Sequence, residues 1–223
     1  MEFSNPLLRG LYPDPSICKV GDTYYLVCST FEYWPAVPIF ASKNLVDWEQ
    51  IGNVLDRPGQ ISLLDAEASQ GIFAPTIRFH NGLFYMVTTV TGPSSGEAPI
   101  SLTNFFVTAT DPAGPWSDPV VVDVDGIDPS LFWEDGNAYM QYAGRGKIMQ
   151  VRIDDVTGEV LEGPRLLTTG CGGRDVEGPH MWVRDGWYYL LMAEGGTREG
   201  HHVTMMRGKD VWGPFELSLS GPG

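Results

Sequence analysis

No run of this chain approaches the ~18–20 consecutive apolar residues that a membrane span requires. Basic residues are scarce: Lys and Arg total 14 against 28 Asp and Glu, a formal net charge of -14. Nucleic acid needs a basic surface, so a nucleic-acid partner is excluded on charge, and an anionic membrane is disfavoured. An uncharged ligand is compatible with this surface. Cysteine is equally sparse, with Cys18, Cys28 and Cys171 alone. An odd, low count favours free thiols in a reducing compartment over a disulfide framework. Cys18 and Cys28 flank a hairpin turn at Gly21-Asp22, but free thiols remain the favoured reading. The segment Met1 to Pro6 lacks the basic-then-apolar pattern of a secretory signal, which predicts a cytoplasmic location unless a leader has been removed. No long amphipathic helical pattern occurs, and only residues 60–71 leave room for a helical turn.

Aromatics and turn formers are plentiful instead: Trp 7, Tyr 9, Phe 10, Gly 27 and Pro 17. They are arranged as a repeat. Four turns are each followed by an aromatic-rich apolar run, at Gly21-Asp22, Asn81-Gly82, Asp135-Gly136 and Asp185-Gly186. Asn-Gly and Asp-Gly between apolar runs are strong hairpin signals. The strand before each turn is introduced by a proline: Asp14-Pro15-Ser16, Ala74-Pro75-Thr76, Asp128-Pro129-Ser130 and Gly178-Pro179-His180. These motifs recur roughly every 50–60 residues, near the ~40–50 of propeller blades. Aromatic marks follow in three repeats, at Trp48, Trp116 and Phe215, and read as the outer edge of a blade. The prediction is an all-β chain with about four propeller blades; a β-sandwich, the runner-up, does not predict so regular a repeat.

The first strand of a propeller blade lines the central axis. Residues opening that strand in different blades therefore converge. Three of the four motifs place a carboxylate there: Asp14, Asp128 and Glu177, with Ala74 in the second. A single Asp before Pro is an ordinary turn starter. Three carboxylates in matching places, repelling one another, cost stability and point to a site. Hydrolysis of a glycosidic bond needs such a set: one carboxyl to protonate the leaving oxygen, one to activate water or attack directly.

At these residues the chain resembles glycoside hydrolase family 43, in particular its β-xylosidase branch. The carrying motifs are Tyr12-Pro13-Asp14-Pro15-Ser16, Ser29-Thr30-Phe31-Glu32 with Trp34-Pro35, Gly71-Ile72-Phe73-Ala74-Pro75-Thr76, Gly126-Ile127-Asp128-Pro129-Ser130, Glu177-Gly178-Pro179-His180 and Glu194-Gly195-Gly196-Thr197. The resemblance runs from Phe3 to about Glu216. It implies a five-bladed propeller, inversion of anomeric configuration and an exo-acting pocket for the non-reducing-end sugar of an oligosaccharide. It implies Asp14 as general base, Asp128 as modulator and Glu177 as general acid. Phe31 and Phe73 (where the family usually has Trp) would be pocket walls, with Trp34 and His180 as further substrate contacts. No catalytic metal or other cofactor is implied. A structural calcium ion on the axis is compatible with the family, but no dedicated ligand set is visible, and the adjacent His201 and His202 would face opposite sides of a strand.

The departure is after Phe215. The fifth blade and the C-terminal β-sandwich of the β-xylosidase branch have no counterpart, so residues 1–223 read as a single propeller domain incomplete at its C-terminus. A longer gene product, self-association covering the open edge, or a four-bladed closure would each account for this. The functional expectation is a β-xylosidase. Alternatives are an α-L-arabinofuranosidase of the same family, a non-catalytic carbohydrate-binding propeller, or a fructan-cleaving enzyme of a related propeller.

Overall fold

The computed structural model describes residues 3–92, 101–197 and 199–217; the sequence tail at residues 218–223 lies outside them. The chain divides into two compact units, Met1–Val121 and Val122–Gly223. Among the described residues all regular structure is β, and none of it is helical. No described helix is long and apolar enough to cross a membrane.

The first unit holds two antiparallel sheets. One runs β1 (Ser16–Val20), β2 (Thr23–Val27), β3 (Ala36–Ser42) and β4 (Glu49–Leu55), in sequence order. In the other, β5 (Gly71–Ile72) and β6 (Thr76–His80) both pair with β7 (Leu83–Thr91), which continues into β8 (Leu102–Ala109) and β9 (Val120–Val122). The inner strand of that sheet is thus split at Phe73-Ala74-Pro75, where proline has no N–H to give to the ladder. Val27, Ile39, Leu55, Ile72, Ile77, Met86 and Phe105 are wholly buried in the core of this unit, with Trp116 beside them.

The second unit repeats the plan. One sheet runs β10 (Ile127–Glu134), β11 (Asn137–Ala143), β12 (Ile148–Ile153) and β13 (Val160–Thr168). The other runs β14 (Glu177–Arg184), β15 (Trp187–Glu194), β16 (His202–Gly208) and β17 (Phe215–Leu217). Its core gathers Tyr139, Ile148, Met181, Leu190 and Met192, with Trp212 and Phe215 packed against them. Each of the four sheets is an up-and-down meander of the propeller-blade type. The resemblance implied five blades; among the described residues there are four.

The hairpins fall where the sequence placed them. The ladder closes at Val20↔Thr23, His80↔Leu83, Glu134↔Asn137 and Arg184↔Trp187, leaving two-residue loops. In the last three loops both residues have positive φ, as in Asn81 (47°) and Gly82 (82°), the signature of type I′ turns whose twist suits the strands. Trp48, Trp116 and Phe215 lead into or open β4, β9 and β17, the outer strands of their sheets. Residues 60–71 form no helix. Isolated turns replace it: the Gln60, Ala66 and Gln70 N–H groups donate to the Arg57, Leu63 and Glu67 carbonyls. The Gln60 side chain is turned inward, its Oε1 accepting from Asp56 and Arg57 N–H and its Nε2 donating to the Ser117 carbonyl.

The second unit also carries a buried polar chain. Ser130 Oγ donates to Gln141 Oε1 (3.0 Å), Gln141 Nε2 to Gln150 Oε1 (2.7 Å), and Gln150 Nε2 to the Val211 carbonyl (3.0 Å). All three side chains are fully buried.

The cysteines are free: Cys18 half-buried, Cys28 buried, Cys171 exposed. Cys18 lies across from Tyr25, so it is out of register with Cys28. Burial pushes both of those thiols up to about 12, which makes them poor nucleophiles.

Candidate active site

Residues before the blade-opening prolines share a backbone state. Asp14 (φ 52°), Asp128 (φ 55°) and Gly178 (φ 59°) all sit in the left-handed region. This conformation costs a non-glycine residue ~1–2 kcal/mol, and such strain is found preferentially at functional sites. The second repeat, with Ala74, does not share it, which fits the absence of a carboxylate there. The fourth repeat differs in register: glycine occupies the position of the two aspartates, and the carboxylate of Glu177 stands one residue earlier. Both β10 and β14 bulge at this point, between Ile127 and Ser130 and between Glu177 and His180. A bulge re-aims the side chains at the strand entrance.

In the first unit, Asp14 precedes β1 and is exposed. Its carboxylate is nevertheless held: the hydroxyl of the fully buried Ser29 donates to Asp14 Oδ2, and the Ser29 N–H donates to the Pro13 carbonyl at 3.1 Å. Phe31 and Phe73 come together as an edge-to-face pair with ring centroids 6.0 Å apart. Phe31 is held there by a two-way backbone bridge to Ile72, with N–H···O distances of 2.9 and 3.0 Å. Gly71 permits this close approach, since a Cβ on it would strike the Phe31 carbonyl. Trp34 lies elsewhere. It is half-exposed and lines a cavity of about 740 Å³ with Glu32 and residues 58–64, whose lining includes neither Phe31 nor Phe73.

In the second unit, Asp128 and Glu177 are both half-buried. Asp128 Oδ2 accepts the N–H of Gly178 at 3.1 Å, so this carboxylate grips the peptide joining Glu177 to Gly178. His180 is half-buried on β14, opposite Leu191.

Sequence reasoning missed two supports. Ser29 is one. The other is Glu194, fully buried at the end of β15, whose stretch was noted without a role. Glu194 Oε1 accepts from Cys171 N–H (2.7 Å) and the Thr204 hydroxyl (2.9 Å), and Oε2 accepts from Gly173 N–H (2.6 Å). Burial pushes this carboxyl up, but the hydrogen bonds from Cys171, Thr204 and Gly173 outweigh it and hold the group below the usual carboxylate range. Its folded-state pKa is therefore lower than its unfolded one. The resulting stabilisation is present above the unfolded value of about 4.3 and is lost as pH falls through the folded value. Urea denaturation should show the wild type losing more stability between neutral pH and about pH 3 than Glu194→Gln, whose amide does not titrate. Equal losses would contradict an ionised Glu194.

Among the described residues, no group of three His, Cys, Asp or Glu side chains is placed to hold a metal ion. His201 and His202 each direct Nδ1 to a different backbone carbonyl, those of Gly196 and Gly200.

Propeller-type blades, three of them with a carboxylate at the entrance of the inner strand, define the class of all-β propeller folds, with Asp14, Asp128 and Glu177 as candidates for its chemistry. Comparison with known proteins narrows this. The sequence profile of Glycosyl hydrolases family 43 matches residues 3–222, and the chain belongs to that family. A xylosidase/arabinosidase of Butyrivibrio fibrisolvens is 47% identical over 230 residues, spanning 96% of this chain and 43% of that protein. A non-reducing end alpha-L-arabinofuranosidase of Bacteroides ovatus is 43% identical over 222 residues, spanning 99% of this chain and 41% of that protein. The crystal structure of a family 43 protein from Bacillus licheniformis superposes with a TM-score of 0.91 at 37% identity, covering 99% of this chain and 44% of that one. The chain thus spans less than half the length of these relatives.

Proposed function

We propose that the protein is an inverting, exo-acting glycosidase that removes a terminal pentose from the non-reducing end of an oligosaccharide, with β-xylosides as the preferred substrates. The observation that carries this reading is the grip of Asp128 on the peptide adjoining Glu177. It pairs a fixed carboxylate with a neighbouring carboxyl, as an acid and its modulator require. Family membership and the xylosidase and arabinosidase relatives support it. In this reading Asp14, steadied by Ser29, takes a proton from water. The water oxygen bonds to the anomeric carbon as the glycosidic C–O bond breaks, and Glu177 gives its proton to the departing oxygen. The products are the free sugar, of inverted configuration, and the shortened alcohol. Phe31 and Phe73 offer an apolar wall against which a sugar ring packs. The reaction so written needs no cofactor.

The Bacteroides ovatus relative favours a second reading, an α-L-arabinofuranosidase on the same carboxylates. Parallel assays with an aryl β-xyloside and an aryl α-L-arabinofuranoside distinguish the two, and the larger kcat/KM names the sugar. Proton NMR during turnover should show the α-anomer of xylose first from a β-xyloside. First release of the β-anomer would overturn the inverting assignment. Saturable xylo-oligosaccharide binding without turnover would instead make the chain a carbohydrate-binding unit.

A further inference from the structure

Glu177 follows directly on residues 169–176, a connection between β13 and β14 with no regular secondary structure. Something must fix that segment if the carboxyl at its end is to be aimed. We propose that Glu194 is a positioning residue whose buried carboxylate ties down residues 169–176 and thereby orients Glu177 for proton donation. The proposal rests on the reading of Glu177 as the acid.

Four observations carry it. First, both oxygens of Glu194 are used, and two of the three donors, Cys171 N–H and Gly173 N–H, belong to the connection itself. Second, the connection is shaped around this carboxylate: a Cβ on Gly170 would come within 2.9 Å of Glu194 Oε1, and one on Gly173 within 2.8 Å of Glu194 Cβ. Third, the next residue adds a backbone tie, Gly195 N–H donating to the Arg174 carbonyl at 2.7 Å. Fourth, Glu194 adjoins Ala193, which lies directly opposite Glu177 in the β14–β15 ladder. The carboxylate thus holds the approach to Glu177 from the strand that pairs with it. A carboxylate suits the task because it only accepts, and every group facing it here donates. An amide at this place would turn an NH2 towards one of those donors, leaving a buried N–H unpaired.

The test uses leaving-group dependence. Protonation matters when the departing group is a sugar alcohol and little when it is a dinitrophenolate, which leaves unaided. Glu194→Gln should lower kcat on xylobiose about 10- to 100-fold. On a dinitrophenyl pentoside it should change kcat little, and KM should stay near its wild-type value on both. Thr204→Val, which removes one donor and leaves the carboxylate in place, should shift the same ratio in the same direction by less. The exposed Cys171 gives a second readout, because its thiol also contacts Glu194. Its modification by a disulfide reagent, compared at equal thiolate fraction because loss of the Glu194 charge by itself lowers the thiol pKa, should be faster in Glu194→Gln than in the wild type.

Equal loss on both substrates, or no loss on either, with an unchanged Cys171 rate, would overturn the proposal. If Glu194→Gln does not fold, Thr204→Val decides by the same two readouts. Absence of turnover in the wild type would sink the hydrolase reading and the proton-donation part with it. The thiol rate would still decide whether Glu194 holds the connection.

Discussion

Glu177→Ala should lose about 10²–10⁴-fold in kcat on xylobiose while retaining much of its rate on a dinitrophenyl pentoside. Asp14→Ala should lose a comparable factor on both substrates. The asymmetry follows from the roles. An acid is dispensable when the leaving group is already stable as an anion, whereas water must be deprotonated whatever departs. Steady-state kinetics on the two substrates, with circular dichroism confirming the fold, make the test complete. Similar losses for the two variants on the activated substrate would remove the acid assignment from Glu177. Full activity in both would remove the site altogether. Asp14 is exposed, but its loss takes an acceptor from the buried Ser29 hydroxyl, so Asp14→Ala should cost about 1–3 kcal/mol of stability, and its rate is read on the folded fraction. Its effect on rate is then a statement about chemistry.

The second large effect is on stability. Gly71→Ala should destabilise the protein by about 2–4 kcal/mol. Gly71 has φ +92°, and the added methyl would run into the Phe31 carbonyl, which is backbone and has nowhere to go. Relief requires breaking the Phe31–Ile72 bridge or the 2.8 Å bond from Gly71 N–H to Thr91 Oγ1. Gly82→Ala supplies the comparison. It has a similar φ of +82° but nothing within 4 Å of its Cβ, so it should cost only the conformational part, about 1–2 kcal/mol. Urea denaturation of both variants separates the clash from the strain. A Gly71→Ala no weaker than Gly82→Ala would show that the bridge yields easily. Because the bridge seats Phe31 against Phe73, Gly71→Ala should also raise KM for the pentoside.

The hairpins were legible because their signals are local. Asn81-Gly82, Asp135-Gly136 and Asp185-Gly186 specify turns whatever surrounds them, and the prolines at 15, 75, 129 and 179 mark the inner strands as plainly. The aromatic marks located three outer strands but passed over the third blade, where Gly163-Pro164 precedes Arg165 and no aromatic follows. That Gly-Pro pair matches Gly114-Pro115 and Gly213-Pro214 but is missing from the first blade, where Trp48 follows Asp47, so each marker alone finds three of the four outer strands. The proline spacing also picked out the three carboxylates as candidates, with Glu177 one residue further from its proline than the aspartates, as Glu177-Gly178-Pro179 reads. The positive φ of Gly178 adds that the glycine takes the backbone state of the two aspartates. Ser29 and Glu194 were not legible as supports. Their partners lie 15 to 23 residues away for Asp14 and Cys171, and across strands rather than within one turn. No periodicity in a single sequence encodes which acceptor such a donor will meet.

The polar chain of Ser130, Gln141 and Gln150 has a consequence for how this blade can vary. Each amide donates to the next acceptor in a fixed direction, ending on the Val211 carbonyl. Removal of one link strands its neighbours without water to replace it. Replacing the whole set with apolar residues of similar volume takes a donor from the Val211 carbonyl alone. Random substitution should therefore tolerate these three positions poorly one at a time and far better together. Among functional variants of this chain, they should change as a block, inherited as one unit rather than as three independent choices.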